Sequence, residues 1–83
     1  MHTATYVLTA RDDATARALA VSLDVEARDP LPRASVRVDP AEGATFRIHV
    51  EAEDLATLRA ASNSFLKWAM AADGALAASQ VED

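Results

Sequence analysis

The sequence predicts an α+β fold, a two-layer sandwich in which two helices cover one face of a three-stranded, mainly antiparallel sheet. Three segments alternate apolar and polar residues, as half-buried strands do. Two other segments repeat apolar residues at intervals of three and four, which is typical of helices with one buried side. The order along the chain is strand, helix, strand, strand, helix, and 83 residues are enough for a single domain.

The first strand and the first helix follow each other directly. Residues 3–10 alternate, with Ala4, Tyr6, Leu8 and Ala10 on one face. Asp12 or Asp13 is a suitable N-cap, because a short carboxylate accepts hydrogen bonds from the free N–H groups of a first helical turn. The helix is expected from about Asp13 to Leu23 or a little beyond.

Two strands of a hairpin occupy residues 33–52, after a connector that contains Pro30 and Pro32. Their turn lies at residues 39–43, where Pro40 and Gly43 favour a reversal of the chain. Pairing Val36 with Ile48 keeps both apolar sets on the inner face. This register places Arg37 opposite Arg47.

A long second helix follows Asp54, which is another suitable N-cap. Its apolar or small positions are spaced by three and four residues: Leu55, Leu58, Ser62, Phe65, Ala69, Ala72 and Leu76. Gly74 is a candidate end for the helix. The polar tail from about residue 77 is expected to fray.

The composition excludes several classes of protein. Thirteen acidic residues against eight basic ones give a net charge of -5, which argues against holding nucleic acid by charge alone. Abundant Asp and Ala, with Arg in place of Lys, are typical of a soluble protein from a salt-rich cytosol. Without cysteine there is no disulfide or thiolate chemistry. With neither a signal-peptide pattern nor a long apolar run, we expect a cytoplasmic protein with no membrane contact.

Groups suited to catalysis are scarce. His2 lies near the terminus and His49 points outward on a strand, so we expect both to be solvated. The acidic runs at 12–13 and 51–54 lie where strands give way to helices, so capping explains them better than metal binding does. Two glycines cannot form a glycine-rich phosphate loop. The sequence therefore predicts no catalytic residue, no cofactor and no metal.

Two surfaces are candidates for binding. Arg33, Arg37 and Arg47 lie on the outward face of the hairpin, where they could contact RNA or a partner. Solvated arginines near acids such as Asp39 and Glu42 are the simpler explanation, because exposed charge pairs are weak. The second helix is apolar around more of its circumference than one sheet can cover. The first helix can cover part of the excess, and the remainder favours contact with a second protein through an aromatic anchor.

Residues 54–68 read Asp-Leu-Ala-Thr-Leu-Arg-Ala-Ala-Ser-Asn-Ser-Phe-Leu-Lys-Trp. Together with the preceding strand 46–52 and the proline-containing connector before Arg33, this stretch resembles the small dimerisation subunit of the KEOPS complex, the Pcc family. The resemblance extends from about Tyr6 to Leu76. Ser62 departs from it, because relatives often carry a larger apolar residue at that position.

The resemblance implies a non-catalytic subunit that forms a homodimer and binds the catalytic threonylcarbamoyltransferase subunit of KEOPS. That complex modifies adenosine 37 of tRNA, which the small subunit would meet only indirectly. The helical face implied for partner binding comprises Leu58, Arg59, Ala61, Asn63, Phe65, Trp68, Ala69 and Ala72. Arg59 and Asn63 would also bridge toward Asp24 or Glu26, or toward the partner. The alternatives are a small RNA-binding module that uses the arginine-bearing sheet face, and a domain that binds a small ligand.

Overall fold

The computed structural model describes residues 1–29, 31–72 and 77–81. It contains two helices and four strands in these residues, and the α+β class is confirmed. The elements in chain order are β1 (His2–Thr9), α1 (Asp13–Ala27), β2 (Ala34–Val38), β3 (Thr45–Ala52), α2 (Leu55–Ala72) and β4 (Ala77–Val81). Among the described residues, neither helix is long and apolar enough to cross a membrane.

The prediction of three strands in the sheet is wrong. The sheet has four strands in the order β2-β3-β1-β4, and each strand is antiparallel to its neighbours. The extra strand, β4, lies in the tail that we expected to fray from about residue 77, and it pairs with residues 5–9 of β1. Pairing with the free edge of β1 satisfies backbone groups that a frayed tail would leave to water. Gly74 and Leu76, the expected helix end and last apolar position, lie outside the described residues.

The register of the hairpin also differs from the prediction. Val36 pairs with Val50, so Arg37 lies opposite His49 instead of Arg47. The predicted and observed registers differ by two residues. Because side chains alternate with a period of two, such a shift leaves the same residues on the inner face, and the hydrophobic pattern does not distinguish the two registers.

Both helices begin where the capping residues predict. The Asp12 carboxylate accepts a hydrogen bond of 2.7 Å from the backbone N–H of Thr15 at the start of α1. Asp54 does the same for Thr57 at the start of α2, also at 2.7 Å. These charged hydrogen bonds lower the pKa of Asp12 and of Asp54. Each acidic run therefore contains a helix cap, as predicted.

One core lies between the sheet and the two helices, which pack against the same face. Its largest fully buried side chains are Phe65, Leu8, Ile48 and Val50. Alanines of both helices complete it, and Ala16 and Ala69 are fully enclosed. No described element covers the other face of the sheet, which carries Thr5, Arg37 and His49. One face of the sheet and the outer sides of both helices are therefore not covered by any described element.

Candidate partner-binding surface

Helix α2 presents its two aromatic side chains very differently. The Phe65 side chain is 2 % exposed and belongs to the core, whereas Trp68, one helical turn later, is 48 % exposed. The two rings contact each other edge to face, with centroids 5.2 Å apart and planes at 62°. Phe65 therefore contacts the indole from the core side, while a large part of Trp68 remains open to solvent.

Trp68 lies between two apolar grooves. The first, which we call the turn groove, runs between α2 and the segment 31–34 and has a volume of ≈ 240 Å³. The second, the seam groove, lies between α1 and α2 and has a volume of ≈ 360 Å³. The turn groove is lined by Leu31, Pro32, Ala34, Thr57, Ala60, Ala61, Ser64, Phe65 and Trp68. The seam groove is lined by Leu19, Ser22, Leu23, Glu26, Trp68 and Ala72.

Backbone geometry fixes the outer wall of the turn groove. Arg33 has a φ of 62°, in the left-handed region that residues with a Cβ rarely adopt. An isolated bridge joins Leu31 to Ala34 around it, and the Arg33 carbonyl accepts a hydrogen bond of 3.0 Å from the Glu53 N–H. The tight turn brings Leu31 and Pro32 alongside α2. The turn at Arg33 thus positions Leu31 and Pro32 as one wall of the groove.

The residues that the resemblance assigns to a partner divide into three sets. Leu58, Phe65 and Ala69 are buried in the chain's own core, so little of their surface is available to another protein. Ala61, Trp68 and Ala72 line the two grooves.

Arg59 and Asn63 form the third set, and both are exposed. Arg59 and Trp68 are nine residues apart, which at about 100° per residue places them on opposite sides of the helix. No described hydrogen bond or ion pair joins Arg59 to Asp24 or Glu26; Asp24 instead pairs with Arg28 at 2.9 Å. The intrachain bridge considered from the sequence is therefore wrong.

Some of the exposed apolar surface was not predicted. Val21 and Val25 of α1 are largely exposed, and Leu55 and Met70 of α2 are nearly half exposed. The α1 pattern placed the buried stripe correctly but carried no signal for valines on its outer side. Leu31 belongs to this group too, because the sequence assigned it only to a connector, whereas the structure makes it a wall of the turn groove.

The arginines of the sheet face are partly paired with acids. Arg37 lies 3.4 Å from Asp39, and Arg33 lies 3.9 Å from Asp54. Arg47 makes no ion pair with any residue that the structure describes. Two of the three arginines on this face, Arg33 and Arg37, therefore already have acidic neighbours.

His49 is at the centre of this face and is not simply solvated. Its Nε2 lies 2.8 Å from Asp39 Oδ2, and its Nδ1 lies 3.2 Å from the Thr5 hydroxyl. The hydrogen bond from His49 is the main cause that lowers the pKa of Asp39. The network links β1, β3 and the residue that follows β2, so these polar side chains connect neighbouring strands on the uncovered face of the sheet.

The chemical possibilities of the chain are limited. Among the described residues, no three His, Asp or Glu side chains come together as metal ligands. Thr5, His49 and Asp39 are a hydroxyl, an imidazole and a carboxylate in series, but they lie on an open sheet face and line neither groove. A nucleophilic triad requires a position where a reacting carbonyl and an oxyanion donor can meet. We therefore interpret the network as structural.

The fold and the surface define a small α+β domain with two helix-lined grooves around one half-exposed tryptophan. Residues 3–76 match the model of a protein family described as transcription factor Pcc1. The chain therefore belongs to the Pcc1 family, which confirms the resemblance found in the sequence. No curated protein gives a significant match to the chain. Family membership implies a role as a KEOPS-related subunit.

Proposed function

We propose that the chain is a non-catalytic dimerisation and scaffold subunit of KEOPS. It would bind the catalytic threonylcarbamoyltransferase subunit and so support modification of tRNA at adenosine 37. The observation that carries the proposal is the half-exposed Trp68 between two apolar grooves, on a chain of the Pcc1 family. The catalytic chemistry would then belong to the partner.

Trp68 has the properties of an interface anchor. Tryptophan is enriched among residues whose truncation costs more than about 2 kcal/mol of binding free energy. Its edge-to-face contact with Phe65 restrains the ring before binding, which reduces the entropy lost on association. Ala60, Ala61 and Ser64 are small, so a partner helix can approach α2 closely beside the indole.

Self-association rests on the family resemblance and on the sheet face that no described element covers. A chain of this length buries a smaller fraction of its unfolded surface than a larger domain does, so a second copy adds useful burial. Light scattering coupled to size-exclusion chromatography measures the mass directly, in a buffer of high ionic strength that suits an acidic chain. A mass equal to one 8.8 kDa chain across the concentration range would contradict the dimer.

The test of partner binding compares two substitutions on the same helix. Trp68→Ala removes the proposed anchor, and Met70→Ala is its matched control, because Met70 is 46 % exposed but lines neither groove. We expect Trp68→Ala to weaken binding of the catalytic subunit by about 30-fold or more, equivalent to about 2 kcal/mol, in calorimetry. We expect Met70→Ala to change it little. Equal effects of the two variants would refute the assignment of the surface.

Support of catalysis is tested separately. The catalytic subunit and the other KEOPS components are combined with tRNA, and threonylcarbamoyladenosine is measured by mass spectrometry. Addition of the wild-type chain should raise product formation, and Trp68→Ala should require a higher concentration for the same effect. A product level that does not respond to the wild-type chain would contradict the scaffold role.

The RNA-binding alternative has weaker support. The net charge is -5. Asp39 also lies between Arg37 and His49, on the sheet face that would have to contact phosphates. Filter binding of tRNA to the isolated chain at several salt concentrations separates the two functions. Salt-dependent binding that Arg47→Ala weakens would favour the alternative.

A further inference from the structure

The part of the chain that the structure describes places one charged side chain in the two grooves around Trp68. Among residues 1–29, 31–72 and 77–81, every residue that lines the turn groove is uncharged, and Glu26 is the single titratable residue that lines the seam groove. Glu26 lies in the last turn of α1 and shares the seam groove with Trp68 of α2. A carboxylate and an indole thus lie at the same opening.

The charge of Glu26 is not neutralised by the described part of the chain. Of the nearest basic side chains in sequence, Arg28 pairs with Asp24, and Arg33 lies beside Asp54. None of the described ion pairs or side-chain hydrogen bonds involves Glu26. A negative group beside an apolar groove favours a partner that brings a positive charge to that point.

We propose that the seam groove accepts an arginine from an amphipathic helix of the partner, with its guanidinium bound by the Glu26 carboxylate and stacked on the Trp68 indole. This inference rests on the proposed function, since it specifies the segment of the catalytic subunit that binds the Trp68 surface. The uncharged side of the partner helix lies along the small residues of the turn groove, including Ala60 and Ala61.

Arginine suits this site better than lysine does. Its planar guanidinium stacks on an aromatic ring and donates paired hydrogen bonds to a carboxylate, and it is less strongly hydrated than an ammonium group. A helix suits the grooves better than an extended strand, because α1 and α2 already form a pair of helices in which a third can lie. Most residues that line the two grooves belong to helices, whose backbone groups are already hydrogen-bonded within the helix, so few are free to pair with a strand.

The test uses the wild-type chain and the purified catalytic subunit, with affinity measured by calorimetry at several salt concentrations at which circular dichroism shows the chain folded. Glu26→Gln removes the charge and retains the shape. Glu51→Gln is the matched control, because Glu51 is exposed on the opposite face of the sheet. We expect Glu26→Gln to weaken binding about fivefold and to reduce its salt dependence, as the loss of one cation–carboxylate pair beside an aromatic ring predicts. Glu51→Gln should leave both unchanged.

A double-mutant cycle tests the shared arginine. Trp68→Leu retains an apolar side chain but removes the aromatic face, so Glu26→Gln should cost less in that background than in wild type. Binding of Glu26→Gln with wild-type affinity and salt dependence would overturn the inference while leaving the scaffold role intact. Failure of the wild-type chain to bind at all would instead contradict the proposed function. A change in homodimer mass caused by Glu26→Gln would assign the groove to a second copy and also overturn the inference.

Discussion

Ser62 is the position at which a small change should alter stability most clearly. Its side chain is 3 % exposed in the middle of α2, and its hydroxyl oxygen has no hydrogen-bond partner. The residue faces the core beside Leu58, Phe65 and Ala69. A buried hydroxyl without a partner loses its bonds to water and gains none in return. Ser62→Ala removes that group without adding volume.

The expected gain follows from two contributions and one loss. An unsatisfied buried hydroxyl costs about 1–3 kcal/mol. Alanine also has a better helix propensity than serine, by about 0.5 kcal/mol. The missing oxygen leaves a small void and forfeits a few dispersion contacts of about 0.1–0.2 kcal/mol each. We expect the free energy of unfolding to rise by about 1–3 kcal/mol, which at about 4–8 °C per kcal/mol raises the Tm by at least about 4 °C.

The assay is urea unfolding followed by circular dichroism, at one fixed protein concentration because a dimer's stability depends on it. Ser64→Ala is the matched control, since Ser64 lies on the same helix and is exposed. That variant should gain only the helix-propensity contribution. A Ser62→Ala protein that is less stable than wild type, or gains no more than Ser64→Ala, would refute the reasoning. It would mean that the hydroxyl bonds a backbone carbonyl of the preceding turn.

Two further predictions concern Asp39 and Arg33. The pKa of Asp39 is lowered from its ordinary value of 3.8 mainly by the His49 hydrogen bond, so its ionised form stabilises the fold. Asp39→Asn should therefore reduce stability near neutral pH, by less than about 1 kcal/mol at this partly exposed site. The difference from wild type should shrink as the pH falls below 3.8, which acid titration of unfolding measures. Arg33→Gly should raise stability by about 0.5–1 kcal/mol in urea unfolding, because glycine tolerates a φ of 62°. Arg33→Ala, which keeps the Cβ, should show no such gain.

The sequence predicted those parts of the fold that depend on local periodicity. Ala4 and Leu8 of β1, and Leu19 and Leu23 of α1, are buried as their spacing indicates. Asp54 caps α2 because a carboxylate just before a helix accepts a hydrogen bond from a free N–H group of the first helical turn. These predictions succeed because each depends on neighbours within a few residues.

The features that failed depend on distant partners. The hairpin register is wrong by two residues because the alternation of Val36 and Val38 fits both pairings equally. On α2, periodicity identified the apolar residues but not which of them the chain's own sheet covers. Phe65 lies inside and Trp68 outside because the sheet and α1 together reach only part of the helix circumference. The turn groove appears only when residues 31–34 are placed beside α2, and the seam groove only when α1 is.

The tail that became β4 shows most directly how a long-range partner decides structure, and it yields a final prediction. Its sequence, Ala77-Ala78-Ser79-Gln80-Val81, has weak strand propensity, so nothing local predicts a strand. The free edge of β1 supplies the hydrogen bonds, and Ala78 lies opposite the fully buried Leu8. Ala78 packs against the core, whereas Ala77 is exposed.

Aspartate at these two neighbouring positions therefore separates a paired strand from a frayed tail. Ala78→Asp places a charge against the core and should lower the free energy of unfolding by about 1–3 kcal/mol. Ala77→Asp points to solvent and should cost less than about 0.5 kcal/mol. Chemical denaturation of both variants at equal concentration measures the contrast. If the two variants are equally stable, the segment does not pair with β1, and the sheet has the three strands that the sequence alone predicts.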